Sequence, residues 1–263
     1  MTTQLKLLTG KREAGIVPTL EVTRLSKVFK TGEGPVTVLR DLDFTVGKGE
    51  FICVLGPSGC GKTTLLNLLA GFEKPSAGKA LLNGRPIQGP GPDRCVVFQE
   101  DTLFPWLTVE ENIAFGVNGV PKKEKQEKVL HFLDLVGLTP FQDYLPREIS
   151  GGMKKRVSLA RVLILQPQIL LMDEPFGALD AQAREEMQDL LLSLWNQFHH
   201  TIVFITHDID EAVALADRVL LMQKDPGAIA EETRVRLPRP RERTAASFQD
   251  YCKALYQSIK KPR

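Results

Sequence analysis

Nine residues, Gly56-Pro57-Ser58-Gly59-Cys60-Gly61-Lys62-Thr63-Thr64, constrain this chain more than any other stretch. They fit G-x-x-x-x-G-K-[ST], the phosphate-cradling loop, which requires a strand before it and a helix after it. Both are present. Phe51-Ile52-Cys53-Val54-Leu55 is a continuous apolar run, as expected of a parallel strand buried on both faces, and Leu65, Leu66, Leu68 and Leu69 recur at helical spacing. Glycines let the backbone wrap closely around an anion, and the N–H groups at the helix start point at its oxygens. Lys62 adds a mobile positive charge for the β- and γ-phosphates, and the Thr63 hydroxyl can ligate Mg²⁺. A glycine-rich turn preceding a lysine by accident would lack the strand and the helix. This is a nucleotide site in an α/β core.

Other polar groups fall at the ends of apolar strands, where an α/β sheet binds its ligands. Cys95-Val96-Val97-Phe98 ends in Gln99. Gln168-Ile169-Leu170-Leu171-Met172 runs into Asp173-Glu174. Adjacent carboxylates at a core strand's end carry a desolvation cost unless a cation sits there. Mg²⁺ held by Asp173 removes that cost and leaves Glu174 to accept a proton from water. Thr201-Ile202-Val203-Phe204-Ile205 ends at Thr206-His207, whereas His131, His199 and His200 have no constellation around them. Ser150-Gly151-Gly152 opens another helix, with face Val157, Ala160, Leu163 and Ile164. Ser150 is a good N-cap and the glycines bare the backbone, which makes a second anion-binding helix start or simply a capped helix.

Before the loop, Leu20–Leu25 alternates like a half-exposed strand, and Gly32-Glu33-Gly34-Pro35 is a turn. Val36–Leu39 and Asp43–Val46 read as a hairpin, so antiparallel β material precedes the core. Phe29 is the aromatic of this lead-in; it can stack on adenine or serve as an ordinary strand aromatic. Leu103-Phe104-Pro105-Trp106-Leu107 is a bulky apolar cluster with loop character, either packing or a groove for a partner helix. Val109 to Tyr144 reads as helical, with Leu130, Leu133, Leu135 and Val136 as its stripe before Gly137 and Pro140. Met187, Leu190, Leu191, Leu194, Trp195 and Phe198 form a core-facing helix face, Val219–Met222 a further strand. The tail from Thr244 to Ile259 is weakly amphipathic, with Phe248, Cys252, Leu255, Tyr256 and Ile259 on one side.

At 263 residues the chain holds one large domain, or one with a small appendage. No apolar run approaches the ~20 residues that span a bilayer. Met1 to Pro18 shows no signal-peptide core, so the expected location is the cytoplasm unless a partner recruits the chain to a membrane. The four cysteines (Cys53, Cys60, Cys95, Cys252) show no C-x-x-C pairing, so neither a disulfide framework nor a zinc site is expected. Cys53 and Cys95 read as buried packing residues. Cys60, near a helix start, is expected to favour the thiolate, so that its alkylation blocks nucleotide binding. The formal net charge of +2 is uneven: residues 233–263 hold nine basic side chains to two acidic ones, led by Arg234, Arg236, Arg239, Arg241 and Arg243. A solvated face or regulatory appendage accounts for them more simply than attraction to anionic lipid. No aromatic stacking platform interleaves them, so nucleic acid is not expected as a partner.

The phosphate loop, Gln99, Ile149-Ser150-Gly151-Gly152-Met153, Leu170-Leu171-Met172-Asp173-Glu174-Pro175, Gly177-Ala178-Leu179-Asp180 and His207 follow in one order with family-like spacing. Together they resemble the ATP-binding subunit of an ABC transporter, over about residues 18–240. Leu103-Phe104-Pro105-Trp106-Leu107-Thr108-Val109-Glu110-Glu111-Asn112 and Leu237-Pro238-Arg239-Pro240-Arg241 resemble the branch serving nitrate, sulfonate, taurine and similar importers. The resemblance implies a parallel-sheet core, an antiparallel β subdomain and a helical subdomain at about 100–165. These lie within an ATP-binding domain at 19–232, flanked by an extension at 1–18 and a basic extension with a short helix at 233–263.

It implies ATP and Mg²⁺ as ligands. Gly56, Pro57, Ser58, Gly59, Cys60, Gly61, Lys62, Thr63 and Thr64 would hold phosphates, with Thr63, Gln99 and Asp173 about the metal. Phe29 would stack on adenine. Glu174 would be the general base, His207 would contact the γ-phosphate, and Gln99 would sense the attacking water. Ser150, Gly151 and Gly152 would meet the ATP of the opposite subunit, with Asp180 coupling the two sites. The working unit would be a head-to-tail homodimer, or a heterodimer with a second ATP-binding subunit. It would sit peripherally on the cytoplasmic face of the cell membrane through permease subunits docking near Gln99–Leu107, with an extracytoplasmic solute-binding protein acting indirectly. Hydrolysis would rest mainly on positioning and electrostatics.

The chain departs from the pattern at Ile149, where leucine is usual, at Phe29, where tyrosine is more frequent, and at Lys155, where a glutamine is commonly found. Lys155 puts in doubt a contact to the ribose of the facing nucleotide. Rival functions fit less well. A DNA-repair ATPase of this type would carry a coiled-coil insert or zinc cysteines, and a translation factor two cassettes. A non-hydrolysing scaffold would not need Asp173-Glu174 and His207.

Overall fold

The buried strands form the centre of the molecule because their sequences leave no polar face to show to water. A computed structural model describes residues 18–100 and 102–260. Strands β1 (Leu20–Thr31), β2 (Gly34–Val46), β3 (Phe51–Leu55), β4 (Ala77–Leu82), β5 (Arg85–Pro86), β6 (Arg94–Val97), β7 (Ile169–Asp173), β8 (Thr201–Thr206), β9 (Arg218–Gln223) and β10 (Ala228–Arg234) make two sheets. One has the order β2-β1-β4-β5 and is antiparallel. The other has the order β10-β9-β3-β8-β7-β6, parallel from β9 to β6, with β10 added antiparallel at the edge.

Alternation along the parallel strands divides the core in two. Phe51, Cys53, Leu55, Leu170, Met172, Ile202 and Phe204 face one side. There they meet helices α2 (Val109–Ala114), α3 (Lys122–Leu135), α4 (Gly151–Leu163), α5 (Ala181–Phe198), α6 (Ile209–Leu215) and α7 (Ala246–Lys260). Ile52, Val54, Ile169, Leu171, Val203 and Ile205 face the other side, against α1 (Lys62–Ala70) and the antiparallel sheet. The antiparallel and parallel materials expected from the sequence are therefore both present, sharing one buried layer.

Several local expectations are corrected. Residues 36–39 and 43–46 do not pair as a hairpin; both lie in β2, which pairs along β1 about the 32–33 turn. The interruption between them is an irregularity in the ladder, with Arg24 and Asp41 at positive φ (43° and 46°). Asp41 N–H donates to Ser26 Oγ (2.9 Å) and Arg24 N–H to the Asp43 carboxylate (3.0 Å), which replaces the ladder bonds lost there. In α3 the buried stripe is Val129, Phe132 and Leu133, while Leu130 is exposed. In α7, Phe248, Cys252 and Leu255 are buried, but Tyr256 and Ile259 face outward. Cys53 is buried as expected; Cys95 is only half-buried.

The basic end is not simply a solvated face. Arg234 and Arg236 are exposed, but Arg239 lies 4.4 Å from the Trp195 ring centroid and 2.6 Å from Asp217. Arg241 donates to the carbonyls of Val213 and Ala216 at the end of α6, and burial lowers its pKa to about 10. The planar five-donor fork of arginine suits such carbonyl clusters, which sequence position alone does not reveal. The stretch read for a signal peptide lies, except for Pro18, outside the described residues. Among the described residues, no helix is long and apolar enough to cross a membrane.

Candidate functional site

The strand order decides which loops meet. Because β3 lies beside β8, β8 beside β7 and β7 beside β6, their C-terminal ends bring together the phosphate loop, His207, Asp173-Glu174 and Gln99. Residues 150 positions apart in the chain become neighbours through parallel pairing alone.

At the loop, Gly61 adopts a left-handed conformation (φ 96°), and a Cβ there would sit 2.6 Å from Leu39 Cδ2. No side chain caps α1, so its first N–H groups remain for a ligand. Lys62, only 6% exposed, folds back over the loop. Its ammonium donates to the carbonyls of Gly56 (2.9 Å) and Pro57 (3.3 Å) and lies 3.6 Å from Glu174 Oε1. Glu174 Oε2 lies 2.8 Å from His207 Nδ1. Glu174 itself has positive φ (42°), a conformation that costs a non-glycine residue free energy and is held here by Glu174 N–H donating to Ile205 O (3.0 Å).

Burial pushes the Asp173 carboxyl up from its ordinary range. A hydrogen bond from Thr63 opposes this, the neighbouring Glu174 charge adds to it, and Lys62 offsets part of it. A hydroxyl and a carboxylate in contact are hard oxygen donors of the kind Mg²⁺ takes, so the residues fit that ion. Among the described residues no group of three His, Cys, Asp or Glu could hold a metal alone. A divalent ion at Thr63 and Asp173 would draw its other oxygens from phosphate and water.

The remaining expected residues sort into two places. Gln99 is exposed, its amide 3.6 Å from where a Cβ on Gly177 would stand, so it borders the Glu174 turn. Phe29 is half-buried on β1, with the Lys27 ammonium 4.7 Å from its ring centroid; one ring face is taken. Ser150, Gly151, Gly152 and Asp180 are brought together elsewhere, lining a separate groove of 540 Å³ with Met153, Arg156 and Glu186. Ser150 caps α4 by accepting from Met153 N–H (3.3 Å), and Asp180 caps α5 by accepting from Ala183 N–H (2.9 Å). Cys60 is 1% exposed, and burial raises its thiol above the usual value despite Lys62 nearby. The thiolate expectation is therefore corrected: burial outweighs the helix start.

Sequence reasoning missed the ties between these parts. Arg184 donates to Leu179 O (3.0 Å) and lies 3.6 Å from Asp208, joining the Asp180 turn to the His207 turn. Lys155 is 4% exposed and donates to the Gln99 carbonyl (2.5 Å). Arg161 binds Thr102 O (2.8 Å) and lies over the Phe104 ring (5.6 Å). Trp106 is 71% exposed and lies beside Phe104, which also meets the exposed Phe115, whereas Leu103 packs against the core, so the apolar cluster is part packing and part surface.

Residues 39–177 match the ABC transporter family. Two proteins of Synechococcus elongatus, the nitrate import ATP-binding protein NrtD and the bicarbonate transport ATP-binding protein CmpD, are each 50% identical to this chain. The alignments cover 84% and 86% of it and 82% and 83% of them. The aliphatic sulfonates import ATP-binding protein SsuB of Bacillus cereus is 43% identical over 92% of this chain and 96% of its own length. Among solved structures, the dimeric post-hydrolysis state of the ATP-binding cassette MJ0796 bound to ADP and Pi superposes with a TM-score of 0.72. It is 29% identical, over 83% of this chain and all of that one.

Proposed function

Because this chain belongs to the ABC transporter family, we propose that it is the ATP-hydrolysing subunit of an importer for a small anion such as nitrate, bicarbonate or a sulfonate, with taurine among the related solutes. The observation that carries the reading is the contact series Lys62–Glu174–His207, at 3.6 and 2.8 Å, at the ends of adjacent parallel strands. Lys62 would move from the loop carbonyls to the β- and γ-phosphates of ATP. Glu174 would take a proton from the attacking water, and His207, which already bonds Glu174, would steady the γ-phosphate side. Mg²⁺ held at Thr63 and Asp173, with Gln99 at its edge, would neutralise phosphate charge. Phe29 would support the adenine.

Ser150, Gly151, Gly152 and Asp180 lie outside the Lys62 cluster, which supports a head-to-tail pair in which they close on the partner's nucleotide. ATP would then join the two copies, and the negative charge left by hydrolysis would part them. The Phe104–Trp106–Phe115 patch, with Trp106 and Phe115 exposed, would be the surface for a permease helix, and it would hold the subunit at the cytoplasmic face of the membrane. Relatives named for nitrate and for bicarbonate are equally similar, which supports placing cargo choice in the membrane and solute-binding partners. Affinity purification from detergent-solubilised membranes tests the importer. An integral membrane protein should copurify, and Trp106→Ala should release it; recovery of ribosomes or DNA with no membrane protein would refute the reading.

A further inference from the structure

Helix α4 begins at Ser150 and is held at two points to the segment that follows β6. Lys155, nearly fully buried, donates to the Gln99 carbonyl, and Arg161, two turns along, binds Thr102 and covers Phe104. The Gln99 amide in turn borders the turn at Glu174–Gly177, 3.6 Å from where a Cβ on Gly177 would stand. One helix and one hydrogen bond therefore link Ser150 through Lys155 to Gln99, whose amide borders the turn that carries Glu174. Lys155 is the member that makes the tie, and an ammonium reaches further and bonds a carbonyl more strongly than a neutral amide does.

We infer that Lys155 is a positioning residue: it fixes the backbone of Gln99 to the Ser150 helix, so that docking of Ser150 on the opposite nucleotide sets Gln99 against its own site. Lys155, buried and bonded to the Gln99 backbone, acts through Gln99. This rests on the proposed role of Gln99 in hydrolysis. Without the tether the Gln99 carbonyl loses its buried donor, and the loop is free to sample other placements whenever α4 moves. Small misplacements of this kind cost turnover without weakening substrate binding.

The experiment is a double-mutant cycle on the ATPase of the intact chain. Lys155→Met should lower kcat about tenfold with KM for ATP unchanged, and Lys155→Arg should restore most of the loss. In a Gln99→Ala background, Lys155→Met should change kcat less than about twofold, because the side chain it positions is gone. Thermal midpoints, by contrast, should fall alike in both backgrounds. If Lys155→Met lowers kcat equally with and without Gln99, the residue is only structural and the inference fails while the Gln99 role stands. If Gln99→Ala alone leaves kcat at the wild-type value, the role of Gln99 fails and the inference with it. Should the methionine variant not fold, Lys155→Gln carries the same test. Its shorter neutral amide should cost roughly threefold or more in kcat only where Gln99 is present.

Discussion

Two glycine-bearing helix starts in this molecule, those of α1 and α4, are built differently. At α1 the approach is glycine without a side-chain cap, and the loop is surrounded by its own lysine, threonine hydroxyl and two carboxylates. At α4 the first turn is closed by Ser150, and the groove around it holds Arg156 and Glu186 but no residue of the Lys62–Glu174–His207 series. The first is equipped to bind a phosphate and act on it. The second can supply donors but lies apart from the Lys62–Glu174–His207 series. The α4 start is then either a plain capped helix or half of a site that another copy completes, and the proposed pair rests on the second reading.

The largest effect should come from breaking the equipped side alone. Glu174→Gln preserves size and removes the base, so hydrolysis should fall by about 10²–10⁴-fold while ATP affinity stays within about twofold. Nucleotide should then hold the variant as a dimer in size-exclusion chromatography. Substantial residual turnover would take Glu174 out of its role. A monomer at saturating ATP, with the membrane partner present, would remove the basis for reading the second helix start as half of a site.

The next test separates the two starts genetically. Lys62→Ala spoils the α1 side, and Gly152→Asp puts a repelling carboxylate on the α4 side; each homodimer should lose about 10² in rate. In a mixed dimer, one site collects both lesions and the other collects none, since each partner lends its patch to the other. Mixing equal amounts should therefore recover up to roughly a quarter of wild-type activity. No recovery at any mixing ratio would mean either that both residues belong to one chain's site or that neither site fires alone. Crosslinking of the mixed dimer decides between these.

Ser150 sharpens the comparison more gently. As a cap, its replacement by alanine costs about 1 kcal/mol of stability. As a contact to the partner's nucleotide, the same change should also reduce hydrolysis roughly tenfold while leaving monomer ATP binding intact. A variant that loses stability but keeps its rate is a capped helix and nothing more.

The two starts also differ in how much of them was legible. The α1 side was readable because strand β3, the loop and the leucine spacing are contiguous, and strands β7, β8 and β9 announce themselves as unbroken apolar runs. Their polar ends could be assigned to one crevice from the general behaviour of parallel sheets. What could not be read is contact across long separations that ends on backbone. The tie of Lys155 to a carbonyl 56 positions earlier, and of Arg241 to the carbonyls ending α6, leave no periodicity in the sequence. The hairpin misreading at 36–46 has a similar origin, because a bulge that keeps the strand and a turn that reverses it use the same short polar residues. Strand β10 was missed because its edge position leaves mostly half-buried residues without an apolar signal.

Cys60 measures the balance at the α1 start itself. Helix N–H groups and Lys62 favour the thiolate, and burial disfavours it; in this loop burial dominates, and the thiol lies above its usual pKa. For an acid whose pKa is raised, the protonated form is the one the fold favours. The thiolate fraction is therefore small at pH 7 and grows about tenfold per pH unit up to that raised pKa. Alkylation by iodoacetamide, followed by mass spectrometry of the intact chain, should be at least roughly tenfold slower than in the unfolded chain at pH 7. It should accelerate steeply from pH 7 to 9. Because the sulfur lies beneath Gly56, where a Cβ on that glycine would approach it to 2.8 Å, the adduct that does form should displace the loop and abolish ATP binding. Fast, pH-independent labelling near neutrality would show instead that the helix start outweighs burial, and that the loop opens to solvent far more readily than its packing implies.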